Sequence, residues 1–209
     1  MDLEQIKNSP IDSNCYVLYD KTQRECLIID PGSEKNDGLL SFLLSENLSP
    51  NYIILTHEHF DHCWGVESIR EKYPHVKLVC SLECSKAIQN KKRNHSVFYK
   101  QPGFELNKAD ITLEEISWTL NWMGKIISFY PALGHTSAGV IITCPPFVFT
   151  GDELIKDIKT VTKLKTGSKE KLNNSIILFE RMKGEGLVIC PGHGETFDLD
   201  EYELSKIVG

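Results

Sequence analysis

Thr56-His57-Glu58-His59-Phe60-Asp61-His62 decides the reading of this chain: it sets four metal-ligating side chains at the end of an apolar run, Tyr52-Ile53-Ile54-Leu55. The run predicts a buried strand that empties into the motif. His57 and His59, two residues apart, can point to one side of an extended segment, and the turn that follows brings Asp61 and His62 toward a neighbouring position. One loop can in this way serve two cations, because imidazole nitrogen and carboxylate oxygen both bind zinc at about 2.0–2.2 Å. Two further histidines stand in short glycine-bearing motifs, Gly134-His135-Thr136 and Pro191-Gly192-His193-Gly194, so that five of the seven histidines fall in three motifs. A cluster followed by two isolated histidines is the pattern expected of a two-metal hydrolytic site.

The rest of the chain is consistent with a soluble enzyme. At 209 residues it is long enough to bury a core without disulfides, and 41% hydrophobic and 25% charged residues are ordinary globular values. The seven cysteines are odd in number, form no C-x-x-C, and lie mostly in apolar runs, which reads as reduced core thiols. Met1-Asp2-Leu3-Glu4-Gln5 is acidic and polar, without the character of a secretory signal, and no apolar run reaches a membrane span of ~18 residues. The expectation is a cytoplasmic protein with no membrane partner. A net charge of −6 argues against nucleic acid as a partner. Nothing in the sequence bears on oligomeric state.

Apolar runs alternate with helical patterns and no linker or repeat divides the chain, so one domain over residues 1–209 is expected. Strands are expected around Cys15–Tyr19, Cys26–Asp30, Tyr52–Leu55, Val76–Cys80 and Leu187–Cys190. Hairpins are expected over Ile116–Ala132, turning at Met123-Gly124, and over Val140–Thr150. Helices are expected at Asn36–Glu46, Val66–Tyr73, Leu82–Asn90, Lys169–Met182 and Leu199–Ile207. Residues 91–108 show the least pattern and read equally well as a solvated loop or as a wall of the active site.

In chain order, Asp30-Pro31-Gly32, Thr56 to His62, Gly134-His135-Thr136, Thr150-Gly151-Asp152 and Pro191 to Gly194 resemble the motif series of the metallo-β-lactamase fold superfamily, in its glyoxalase II-like branch of thioester hydrolases. The resemblance spans nearly the whole chain. It implies an α/β (α+β) fold, the four-layer αββα sandwich, and a centre of two divalent metal ions, zinc first, with iron or manganese as alternatives. By resemblance, His57, His59 and His135 hold one metal, Asp61, His62 and His193 the other, and Asp152 bridges them. Cys63 falls at a packing position. Asp30 is expected to orient a ligand or the bridging group from beneath, and Asp30, Asp61 and Asp152 are the carboxylates assigned to the chemistry.

The implied reaction is attack on a small, hydroxyacylglutathione-like thioester by a hydroxide shared between the two ions. A thiolate leaving group, of pKa ~8.5, departs without a strong general acid. Lys156, Lys159, Lys163, Lys165, Lys169 and Lys171 follow the bridging aspartate against only Asp157 and Glu170. Lys159, Lys163 and Lys165 are accordingly candidate contacts for an anionic small-molecule substrate. Glu58, at a variable motif position, is expected to be solvated or to support a ligand, and His75 and His95 to be surface residues.

Two departures loosen glutathione specificity. Glyoxalase II enzymes add a helical region after the last histidine motif, and they carry G-R-T-D where this chain has Lys159-Thr160-Val161-Thr162-Lys163. Lactonases, other esterases or phosphodiesterases, a one-iron persulfide dioxygenase and a non-catalytic metal-binding regulator are the alternatives. Asp152 and the lack of a signal sequence count against a periplasmic β-lactamase. All seven ligand positions are filled, which favours an enzyme over a regulator.

Overall fold

The computed structural model describes residues 1–114 and 118–207, in two compact units, Met1–Thr112 and Leu113–Gly209. The first is built on six strands in the order β1 (Asp2–Lys7), β2 (Asn14–Asp20), β3 (Glu25–Ile29), β4 (Ser49–Ile54), β5 (Lys77–Ser81) and β6 (Ile111–Leu113), the last ending at the boundary. β1, β2 and β3 pair antiparallel, whereas β3, β4 and β5 run parallel. Parallel neighbours need crossovers, and these are α1 (Asp37–Ser45) before β4 and the pair α2 (Phe60–Cys63) and α3 (Val66–Lys72) before β5. α4 (Leu82–Ile88) and α5 (Ser96–Tyr99) follow. Leu27, Ile28, Ile29, Ile53 and Ile54 are all buried, the continuous apolar pattern of central parallel strands.

The second unit repeats the switch from antiparallel to parallel pairing. Its sheet runs β12 (Phe197–Asp198), β11 (Val188–Pro191), β10 (Phe147–Gly151), β9 (Val140–Cys144), β8 (Lys125–Pro131), β7 (Trp118–Trp122). β7 to β10 form an antiparallel meander, and β11 joins β10 in parallel after α6 (Lys169–Met182). The β7–β8 turn places both Met123 and Gly124 at positive φ, the backbone that matches the twist of a two-residue hairpin. α6 is capped by the Ser168 side chain, which accepts from the Lys171 N–H, and its buried Leu172 and Phe179 pack in the sheet's core with Ile141, Val148 and Ile189. Each unit thus supplies one β-layer and its own helices, the parts that the expected αββα fold requires.

Three differences from expectation have physical causes. β1 is a half-exposed, mostly polar edge strand, and β6 and β12 are three and two residues long, so none carries a legible alternation. Only Leu204–Ile207 of the expected Leu199–Ile207 helix is helical, as a 3-10 turn; burial of Leu199, Tyr202, Leu204 and Ile207 against the second sheet mimics helical spacing in sequence. The segment 91–108 is not wholly irregular, since it contains α5. Ile116, at the start of the expected hairpin, lies outside the described residues.

Candidate metal centre

Every candidate ligand sits just beyond the carboxyl end of a strand or in the turn that follows. Asp30 follows β3, Thr56 and His57 follow β4, His135 follows β8, Asp152 follows β10 and His193 follows β11. Backbone leaving the end of a parallel or mixed sheet is where open α/β proteins build their sites.

In the first unit the chain bends at Thr56 and His57, is extended at His59, whose φ and ψ are −62° and 146°, and then enters the helical turn of α2. This change of backbone folds Asp61 and His62 back toward the histidines before them. The His57 ring centroid lies 4.7 Å from that of His59 and 4.2 Å from that of His62.

Asp30 holds the cluster from below. Its Oδ1 accepts the Thr56 N–H at 2.8 Å, and its Oδ2 accepts the Thr56 hydroxyl at 2.5 Å and lies 3.0 Å from His62 Nδ1. A carboxylate can only accept, so His62 carries its proton on Nδ1 and its lone pair on Nε2. Because the Thr56 hydroxyl donates its hydrogen bond to Asp30, it accepts from His57 Nδ1 at 3.0 Å, which leaves the His57 lone pair on Nε2 as well. One buried carboxylate therefore sets the tautomer of two imidazoles. Donor atoms of Asp30, His57 and His62 all lie within 4.8 Å of one another, but the three protons directed at Asp30 give it the bonding of a support rather than a ligand.

Asp30 itself takes φ 51°, left-handed backbone that is uncommon outside glycine and best tolerated by asparagine and aspartate. Asn8 locks it there. Its Nδ2 donates to the Asp30 carbonyl and its Oδ1 accepts from Gly32 N–H and the Ser33 hydroxyl. Gly32 is required by space: a Cβ there would lie 1.6 Å from the Asp61 carbonyl oxygen. That same oxygen accepts the Ser13 hydroxyl, which fixes the backbone of the ligand loop.

In the second unit His135 Nδ1 donates to the Val161 carbonyl at 2.9 Å, so here too the lone pair is on Nε2. His135 Nε2 lies 3.6 Å from Asp152 Oδ2, and His193 Nε2 lies 3.6 Å from Asp152 Oδ1. In the first unit His62 Nε2 lies 3.7 Å from Asp61 Oδ2. These separations exceed a good hydrogen bond, so the donor atoms are gathered without being bonded to one another. Each oxygen of Asp152 faces a different histidine. The donor set of lone-pair imidazoles and carboxylates fits divalent cations.

Glu153, which sequence reasoning passed over, braces this half. Its carboxylate accepts the N–H groups of Gly134 and His135 and the Ser175 hydroxyl of α6. Burial pushes its carboxyl above the usual range, while those hydrogen bonds oppose the shift. A Cβ at Gly134 would lie 2.7 Å from its Oε1, so glycine lets backbone and carboxylate meet. Glu153 directly follows Asp152, and that adjacency was its only signal in the sequence.

Other expectations divide. Cys63 is buried, its thiol donates to the Glu58 carbonyl, and burial pushes its pKa up, consistent with packing. Cys26 and Cys190 thiols are pushed up to about 12 by burial. Glu58 is not solvated but buried. His75 is an exposed residue bonded to Ser49. His95 is not a plain surface residue, because its ring stacks on His59 at 4.5 Å. Lys159, Lys163 and Lys165 are exposed and flank Val161, the residue that holds His135.

Among the described residues no helix is long and apolar enough to cross a membrane. Residues 9–193 match the family model of the metallo-beta-lactamase superfamily, a group mostly of hydrolytic metalloenzymes. The chain is 28% identical over 179 residues to a hydroxyacylglutathione hydrolase of Buchnera aphidicola subsp. Baizongia pistaciae, covering 86% of this chain and 61% of that protein. It therefore spans about six-tenths of that relative's length. The solved B3 metallo-beta-lactamase BLEG-1 superposes with a TM-score of 0.86 at 26% identity, over 95% of this chain and 94% of that one. TTHA1623, solved in a di-iron-bound form, superposes at 0.78 with 22% identity over 94% of each chain, a likeness of fold. With the α/β fold, the histidine–aspartate clusters and a family match over most of its length, this chain belongs to the metallo-beta-lactamase superfamily.

Proposed function

We propose that the chain is a cytoplasmic hydrolase with two divalent metal ions, zinc first, that cleaves a small anionic thioester of the hydroxyacylglutathione kind. His57, His59 and His135 would hold one ion, Asp61, His62 and His193 the other, with Asp152 shared. Neither unit carries the full set, so we treat residues 1–209 as one functional domain. The observation that carries this reading is the disposition of Asp152, one oxygen toward His135 and the other toward His193. When bound, two such cations would supply a water acidified toward neutrality and positive charge for a developing oxyanion.

The chain's own groups do the rest. Asp30 and Val161 keep the protons of His62 and His135 on Nδ1, so that both present a lone pair from Nε2. The exposed lysines 159, 163 and 165 supply positive potential for an anionic substrate. Donors of nitrogen and oxygen, with the thiol of Cys63 held protonated by burial, suit zinc, iron or manganese over soft-metal chemistry.

The 26% identity to a B3 metallo-beta-lactamase favours a β-lactam as the second substrate class. The two differ at the leaving group: an amine needs a proton, whereas a thiolate of pKa ~8.5 does not. The test is hydrolysis of S-lactoylglutathione and of a chromogenic cephalosporin by zinc-loaded protein, before and after chelation. Thioester turnover that is lost with the metal and returns with zinc is expected. A fully metal-loaded protein that opens the cephalosporin and leaves the thioester intact would reverse the choice.

A further inference from the structure

The ring of His135 is held by a main-chain carbonyl, that of Val161, at 2.9 Å from Nδ1. Val161 lies in a stretch, 159–168, without helix or strand, and its side chain is 49% exposed. Neither regular structure nor packing of that side chain accounts for a fixed carbonyl. The fixing comes from the residue before it. Thr160 donates its hydroxyl to the Glu153 carbonyl at 2.9 Å and its N–H to the Ile207 carbonyl at 3.2 Å.

These two bonds tie His135 to two anchors. The Glu153 carboxylate accepts the His135 N–H at 2.8 Å, so backbone and ring of the histidine return to one residue, the first directly and the second through Val161 and Thr160. The other anchor is the C-terminal 3-10 turn, whose Leu204 and Ile207 are buried in the core of the second sheet. The same region grips the strap a second time, since Tyr202 Oη accepts the Asp157 N–H at 2.9 Å. Past Val161 the chain is tied back to the histidine loop, where the Ser168 N–H donates to the Gly134 carbonyl at 2.8 Å. The last turn of the described chain is thus joined to a candidate ligand by a continuous run of hydrogen bonds.

We propose that Thr160 is a positioning residue for His135, and that the C-terminal turn, acting through Thr160 and the Val161 carbonyl, sets how tightly the centre holds the ion bound by His135. The inference rests on the reading of His135 as a metal ligand. A carbonyl free to drift lets the imidazole rotate, or move its proton to Nε2, the nitrogen that must present a lone pair to bind. Losing the outer hydrogen-bond partner of a ligating histidine costs about 10–100-fold in metal affinity, and a support one step further out falls at the lower end of that range.

The experiment uses the full chain with nitrogen-15 in its histidine rings. In the metal-free protein, NMR reads how fast the His135 Nδ1 proton exchanges with water, the signal being assigned by its absence from His135→Gln. A competition titration with a chromogenic chelator reads the two zinc affinities. Thr160→Val removes the hydroxyl and keeps the shape of the side chain. It is expected to speed exchange about tenfold and to weaken one zinc ion about tenfold, the other staying within about twofold. Thr160→Ser keeps the hydroxyl and should stay within about twofold of wild type in both readings. Tyr202→Phe, which keeps its ring in the core, should move both readings the same way by about threefold. Zinc affinities unchanged in Thr160→Val and Tyr202→Phe overturn the proposal and keep the metal reading. An equal loss at both ions with exchange unchanged is a general weakening of the fold and overturns it too. Faster exchange in a protein that binds no zinc keeps Thr160 as the clamp of the ring and removes the ligand reading.

Discussion

The two halves of the candidate centre solve one problem in different ways. In the first, four donors fall between His57 and His62, and a side chain, Asp30, reaches the Thr56 hydroxyl and the His62 ring directly. In the second, the donors are spread from His135 to His193 over three strand ends, and the supports act through backbone: Glu153 grips the N–H groups of Gly134 and His135, and a main-chain carbonyl holds the His135 ring. A dense loop needs its rings oriented, because its chain path already brings the donors together. A dispersed set needs its chain path fixed first. The first half should therefore be sensitive to loss of a carboxylate at the rings, and the second to loss of acceptors for backbone.

The sharpest break of this comparison is at Asp152, whose two oxygens lie toward two different histidines. Asp152→Ala is expected to lower thioester turnover by at least about a thousandfold and to reduce bound metal, read by steady-state assay and metal analysis. Wild-type turnover at full occupancy would remove the bridging role. Next in size is Asp30→Ala. It strands the Thr56 N–H and the His62 Nδ1 in a buried site, so zinc affinity should fall about 10–100-fold and folding stability by about 1–3 kcal/mol. A competition titration with a chromogenic chelator and urea unfolding of the metal-free protein separate the two effects. A loss of stability with unchanged zinc affinity would mean that Asp30 supports the fold and not the rings.

The same contrast explains what could be read before the structure. T-H-x-H-x-D-H is legible because its donors are neighbours in the chain, and the strands behind it are legible because Leu27–Ile29 and Tyr52–Leu55 are unbroken apolar runs. Asp30 could be suspected from its place after such a run. Glu153 could not, since its partners are backbone amides 18 and 19 residues away and a serine on α6. Val161 serves through a carbonyl, which every residue has. His95 had no motif, because its position follows from the left-handed backbone that Asn94 and Ser96 impose. The polar edge strand β1 and the short β12 are held by pairing, which leaves no periodicity to find.

The smallest effect belongs to Glu153→Gln, and it tests the contrast most finely. Glutamine keeps the volume and one acceptor for the Gly134 and His135 N–H groups, but it replaces the second oxygen with a donor. The Ser175 hydroxyl can turn to accept from the new amide, and the Gly134 N–H, which reaches both oxygens of Glu153, keeps only one of them. The expected cost is about 1 kcal/mol in urea unfolding, with zinc affinity lowered only a few-fold, since the Val161 carbonyl still orients the His135 ring. Ser175→Ala sharpens the result from the other side, because it removes a donor from a buried carboxylate and leaves the two backbone contacts intact. If Glu153→Gln instead lowers zinc affinity as far as Asp30→Ala does, the second half depends on its carboxylate's charge as much as the first does. The distinction between orienting rings and fixing a chain path then fails, because both halves would be set by a buried negative charge near the metals.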